Sequence, residues 1–250
     1  MSAIKRRVIA AMVIMIWLAA GFVFASEPKT FESGETQTSL LELFTSEGCS
    51  SCPPAEKWMS ALKSSQDLWK KTVPVAFHVD YWDHLGWRDR FAKPEFTSRQ
   101  RRYAAAWGGG WVYTPGFVVN GQEWRGWFGG DGTPTTSAKV GFLHVSLADD
   151  GKLSATFVPK TTQPQALVLN VALLGNDLES DVKRGENGGR KLRHDFVALD
   201  LITSDMANES NRWTGSVALP TRSGNEKPSA LAAWITENAT PIQATGGSLR

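Results

Sequence analysis

The sequence predicts an α/β domain over residues 36–136 followed by an all-β, sandwich-like domain over residues 137–250. Three observations carry that expectation. Between residues 36 and 107, short apolar runs that suit strands alternate with stretches whose apolar residues recur at helical spacing. From about residue 140 the helical spacing stops, and short segments follow one another with turn residues between them. The two cysteines, Cys49 and Cys52, both fall in the first half, where a strand hands over to a helix.

The first 25 residues read as an export signal. Lys5, Arg6 and Arg7 precede an apolar run from Val8 to Phe24, and Val23-Phe24-Ala25 ends it as a signal-peptidase site would. A retained anchor is the alternative, because about 17 apolar residues just reach across a bilayer. Either way the chain is expected outside the cytoplasm, periplasmic or secreted. The whole chain holds 27 Lys+Arg and 25 Asp+Glu. Three of the bases and none of the acids lie in the signal, so the mature part is nearly neutral. Nucleic acid is therefore not an expected partner, and a membrane enters only through the export signal.

Leu40, Leu41, Leu43 and Phe44 form a short apolar run, ended by the turn Thr45-Ser46-Glu47-Gly48. Past the cysteines, Ala55, Trp58, Met59 and Leu62 fall on one helical stripe. Val73 to Val79 is a nearly continuous apolar strand, as in a sheet covered on both faces. A second helix opens at Pro94-Glu95, carries Phe96, Gln100, Tyr103 and Trp107 on one stripe, and stops at Gly108-Gly109-Gly110. Asn120-Gly121 marks a hairpin, and residues 126–137 read as a linker or helix lead-in. Further strands are expected around Asp150-Gly151, at Ala166 to Leu174, Phe196 to Ile202, Trp213 to Leu219 and Ser229 to Thr236.

Cys49-Ser50-Ser51-Cys52 carries the chemistry. A disulfide across two residues restrains little of the unfolded chain, and zinc would want further close-spaced ligands. Thiol–disulfide exchange suits the pair better: one thiolate attacks and the second thiol resolves the mixed disulfide. A helix N-terminus lowers the first thiol's pKa, so Cys49 is the expected nucleophile and Cys52 the resolving residue. Pro53 and Pro54 lack N–H groups and are tolerated only in a first turn, so regular helix should begin near Ser51 or Cys52.

Other clusters have blander readings. His78, Asp80, Asp83 and His84 could hold a metal, but their spacing is not a strong ligand pattern, so no metal or other cofactor is expected. Tyr81, Trp82, Trp87, Trp107, Trp111, Trp124 and Trp127 read mostly as core. Trp82 follows a strand end, where loops carry ligands, and is the first choice for contact with a substrate. Arg88, Arg90, Arg99, Arg101 and Arg102 read as a solvated, salt-bridged face. Gly185 to Gly189 lacks the Lys-Ser/Thr of a phosphate loop.

The run Phe44-Thr-Ser-Glu-Gly-Cys-Ser-Ser-Cys-Pro-Pro54, with Thr114-Pro-Gly-Phe-Val-Val-Asn-Gly121 later, resembles the thioredoxin fold. More narrowly, Glu42 to Pro54, His78-Val-Asp-Tyr-Trp-Asp83, Leu85-Gly-Trp87, Arg99-Gln100 with Tyr103, Tyr113 to Gly121 and Arg184-Gly-Glu-Asn-Gly-Gly-Arg190 with Leu192 and His194 resemble a secreted bacterial family labelled domain of unknown function 1223. The resemblance implies an exported thioredoxin-like protein with a cis Thr114–Pro115 bond across from the cysteines, where Thr114 and Pro115 would bind a partner's backbone. The expected function is thiol–disulfide exchange on cysteine-containing exported proteins or with a redox partner. The alternative is a binding module whose cysteines form an inert disulfide or hold a metal.

Overall fold

The computed structural model describes residues 27–160, 164–220 and 226–250, and the expected export signal lies outside them. Its strands are β1 (Lys29–Glu32), β2 (Ser39–Thr45), β3 (Thr72–His78), β4 (Gly116–Val119), β5 (Gln122–Trp124), β6 (Gly141–Leu147), β7 (Lys152–Pro159), β8 (Val168–Gly175), β9 (Leu178–Asp181), β10 (Lys191–His194), β11 (Val197–Asp205), β12 (Ala207–Glu209), β13 (Arg212–Ala218), β14 (Ala230–Glu237) and β15 (Thr240–Ser248). Two α-helices, α1 (Cys52–Ser60) and α2 (Pro94–Ala106), stand among the described residues.

Eight strands form one mixed sheet in the order β15-β14-β8-β11-β3-β2-β4-β5. Only β11–β3 and β3–β2 pair in parallel. A second, antiparallel sheet runs β1-β6-β7-β13-β12, and β9 and β10 make a separate hairpin.

This overturns the expected fold class. The first half is not an α/β thioredoxin-like domain standing ahead of a separate sandwich. Strands from both sides of residue 137 share the large sheet, and the molecule is mostly β. The joint is at β3, which pairs with β2 along one edge and takes β11 along the other, with Val197 opposite Ala76 and the Ala76 N–H donating to the Phe196 carbonyl at 2.8 Å. Strand β3 is buried along its whole length, as the apolar run Val73–Val79 predicts. Its apolar pattern states which faces are covered and says nothing of which strand lies beside it.

Each face of the large sheet has its own cover. Leu40, Phe44, Val73, Val75 and Phe77 share a face with Ala172, Leu174, Ala232 and Trp234, and Phe96 and Tyr103 of α2 pack there. On the other face Leu41, Leu43, Ala76 and Phe117 meet Ala55 and Met59 of α1. Farther along that face, Leu169, Val171, Leu173, Leu231, Ala233 and Ile235 pack against Leu143, Val145, Leu153, Ala155 and Phe157 of the smaller sheet. The sandwich texture of the second half is real, but one of its two sheets continues into the first half.

Local signals are met where local chemistry decides. The β4–β5 turn has φ 48° at Asn120 and 84° at Gly121, the left-handed pair that a two-residue hairpin needs. Helix α1 begins at Cys52 and holds both prolines in its first turn. The arginine-rich stretch departs from expectation at one position. Arg99 is buried, donates to Glu42 at 2.5 Å and to the Tyr103 hydroxyl at 2.9 Å, and lies over the Trp234 ring.

Candidate functional site

The carboxyl end of β2 and the start of α1 place the cysteines. The turn after β2 is closed by the Cys49 N–H on the Ser46 carbonyl at 3.1 Å and the Cys52 N–H on the Cys49 carbonyl at 3.2 Å. Cys49 is 1% exposed and Cys52 is fully buried, both as free thiols, while Ser50 and Ser51 face solvent. The Cys49 sulfur lies 3.2 Å from the Ser51 hydroxyl and 3.7 Å from the Thr114 carbonyl. The Trp82 indole N–H donates to the Thr114 hydroxyl at 2.8 Å. The Thr114–Pro115 bond is cis, as expected. So Cys49, Cys52, Thr114, Pro115 and Trp82, scattered over 67 positions from first to last, converge in one place.

The two thiols are driven apart in acidity. The Cys49 thiol is lowered to about 6, most of all by the hydrogen bond from the Cys52 thiol. Burial opposes this, while the Ser51 hydroxyl and N–H and Thr114 assist. Cys52 is pushed well above its usual value, chiefly by burial and then by the Cys49 sulfur beside it. One sulfur thus holds the charge and the other keeps the proton that stabilises it.

Three things here escaped the sequence. First, the loop from β9 to β10 crosses the cysteine turn. Asn187, fully buried, donates to the Glu47 and Cys49 carbonyls at 2.9 Å each, and Glu186 accepts from the Ser50 N–H at 3.0 Å. The Ser50 N–H is therefore taken up by Glu186. Second, Tyr81 stands near both sulfurs, with its pKa raised mainly by burial. Third, a buried charged cluster lies under Cys52. Thr45 donates to Glu56 at 2.5 Å and also hydrogen-bonds Cys52. Glu56 pairs with His194 at 2.6 Å, and Asp89 pairs with His78 at 2.7 Å while accepting the Glu47 N–H. Burial would raise Glu56 and Asp89, but the histidines beside them hold both below the carboxylate range. Burial would lower His194, but Glu56 and Glu47 outweigh it and push His194 up to about 10. Glu56 and His194 sit 138 positions apart, so no spacing rule could have joined them.

The four residues weighed for a metal take different partners. His78 joins the buried cluster, Asp80 accepts from the Thr97 hydroxyl, Asp83 accepts from the Asp89 N–H, and His84 is exposed. The tryptophans divide too: Trp127 is buried, Trp87 donates to Glu47 at 2.6 Å, and Trp111 is 91% exposed.

Residues 40–236 match the family described as Protein of unknown function (DUF1223). The chain belongs to that family. No curated protein matches it. Among solved structures it is similar to protein AGR_C_4864 from Agrobacterium tumefaciens, with 23% identity and a TM-score of 0.56 over 86% of this chain and 95% of that one. It is also similar to HBP35 of Porphyromonas gingivalis, with 18% identity and a TM-score of 0.59 over 87% of this chain and 76% of that one. At such identities the likeness is one of fold. The loop over the cysteine turn lies within the DUF1223 match, as do both histidines of the buried cluster.

Proposed function

We propose that this DUF1223 protein is exported and carries out thiol–disulfide exchange with cysteine-containing proteins of the same compartment. The observation that carries the reading is the asymmetry of the pair: Cys49 is stabilised as thiolate by Cys52, Ser51 and Thr114, and Cys52 is a fully buried thiol. In the forward step the Cys49 thiolate attacks one sulfur of a client disulfide. The client S–S bond breaks, its second sulfur leaves as thiolate, and a mixed disulfide forms. Cys52 then loses its proton and attacks the Cys49 sulfur, releasing the reduced client and leaving the pair oxidised by two electrons. A dithiol partner restores the pair, and the reverse sequence oxidises a client. Thr114 borders the attacking sulfur, Pro115 follows it across the cis bond and Trp82 hydrogen-bonds Thr114, so these three would contact the client backbone.

The test is a Cys52→Ser variant, which should trap the mixed disulfide with a disulfide-bearing substrate such as insulin, while Cys49→Ser traps nothing. Absence of both trapping and catalysed exchange overturns the reading. One observation favours a second reading, a binding module with an inert pair: Cys49 is 1% exposed under the loop that carries Asn187. That reading predicts alkylation of Cys49 only as the protein unfolds.

A further inference from the structure

The cluster beneath the cysteine turn contains more buried carboxylates than buried histidines. Glu47, Glu56 and Asp89 face His78 and His194, and all five are buried. Among the described residues no lysine or arginine pairs with any of them. A Glu56 oxygen and one nitrogen from each histidine lie within 4.8 Å of one another.

The hydrogen bonding of the cluster is incomplete in a particular way. His78 has its Nδ1 on Asp89 at 2.7 Å, and its Nε2 is buried without a partner in a side chain that is 1% exposed. His194 has its Nδ1 on Glu56 at 2.6 Å, and its Nε2 faces Glu47 Oε1 at 3.4 Å, too far for a good hydrogen bond. That Glu47 oxygen is also without a hydrogen-bond partner. A buried polar atom left without a partner is destabilising, and three of them gather here. A histidine gripped by a carboxylate on one nitrogen and bare on the other is the arrangement by which proteins orient imidazole toward a metal.

We propose that Glu56, His78 and His194 bind one divalent first-row transition-metal ion, with Asp89 as the outer carboxylate that orients the His78 imidazole. Two imidazoles and a carboxylate suit zinc or ferrous iron. The ion satisfies the bare His78 nitrogen and balances the excess of buried carboxylates. It is held by nitrogen and oxygen and lies under the cysteine pair rather than on it. No sequence spacing points to this set, because its members come from α1, β3 and β10.

The experiment is a Co²⁺ titration of the reduced whole chain after chelator dialysis, read by visible absorption. The expected result is one Co²⁺ per chain with ligand-field bands, no sulfur-to-cobalt charge-transfer band, and displacement by Zn²⁺. A Cys49→Ser/Cys52→Ser double variant should bind unchanged. His78→Gln and Glu56→Gln should weaken binding by at least about tenfold, and His84→Gln, at an exposed histidine, should leave it alone. Three outcomes overturn the proposal: no stoichiometric Co²⁺ spectrum, a thiolate charge-transfer band that the double cysteine variant abolishes, or binding unmoved by both His78→Gln and Glu56→Gln. The wild-type and double-cysteine spectra decide the matter even if the buried substitutions fail to fold.

Discussion

Cys49 owes its acidity to its neighbours one at a time, and each can be removed. The largest contribution is the Cys52 thiol, so Cys52→Ala should raise the Cys49 pKa from about 6 toward its ordinary value of 9.0. Ser51→Ala should raise it by a smaller step. Both follow from the pH dependence of iodoacetamide alkylation, whose rate should climb through about pH 6 in the wild type. The same shift ties to stability with a definite sign. Because the folded value lies below the unfolded one, the Cys49 contribution to the reduced fold is full above pH 9.0 and is lost as pH falls through about 6. At the same scale, Arg99 is the cation paired with the buried Glu42 carboxylate. Arg99→Leu leaves that charge unpaired, and denaturant unfolding should show a loss of about 3–5 kcal/mol.

At the scale of elements, the start of α1 and the β9–β10 loop build the site together. The helix start was legible, since two prolines can occupy only a first turn and the cysteine directly before them must sit at its start. The loop was visible as a glycine-containing stretch with no phosphate pattern and as part of the family resemblance, but its role was not, because Asn187 and Glu186 reach residues more than 130 positions away. Asn187→Ala removes the donor to two buried carbonyls, at about 1–3 kcal/mol for each group left unsatisfied. Cys49 alkylation in the folded protein should quicken, and the amides of residues 47–50 should exchange faster. If alkylation is unchanged, the loop is not the cover over the thiol. Strand β10 was missed as well: Lys191–His194 is too short and too charged to read as a strand, yet it delivers His194 to the buried cluster.

At the scale of the molecule, the joint between β3 and β11 decides how the protein unfolds. If the halves were independent, calorimetry would resolve two transitions and a fragment spanning residues 36–136 would fold alone. With β11 removed, β3 would expose an unpaired edge, and Val73, Val75 and Phe77 would lose Ala172, Leu174 and Trp234 from their shared core. One cooperative transition is expected, and the 36–136 fragment should lack a cooperative unfolding curve. Two well-separated transitions would place the boundary back at residue 137.

What the sequence determined by itself is what short-range physics decides: the strands with clear alternation or unbroken apolar runs, the two helices with their proline starts, the Asn120-Gly121 turn, and the cysteines at the end of β2. These depend on backbone sterics and on side chains a few positions apart, and both are written in consecutive residues. Only the tertiary structure decided that β3 takes β11 as its neighbour, that Asn187 and Glu186 cover the cysteine turn, and that Glu56, His78 and His194 meet beneath it. Strand pairing satisfies backbone groups that every residue carries, so many partners fit one apolar pattern. The choice among them is made by closing the whole core at once, and the buried histidines and carboxylates are brought together by that closure.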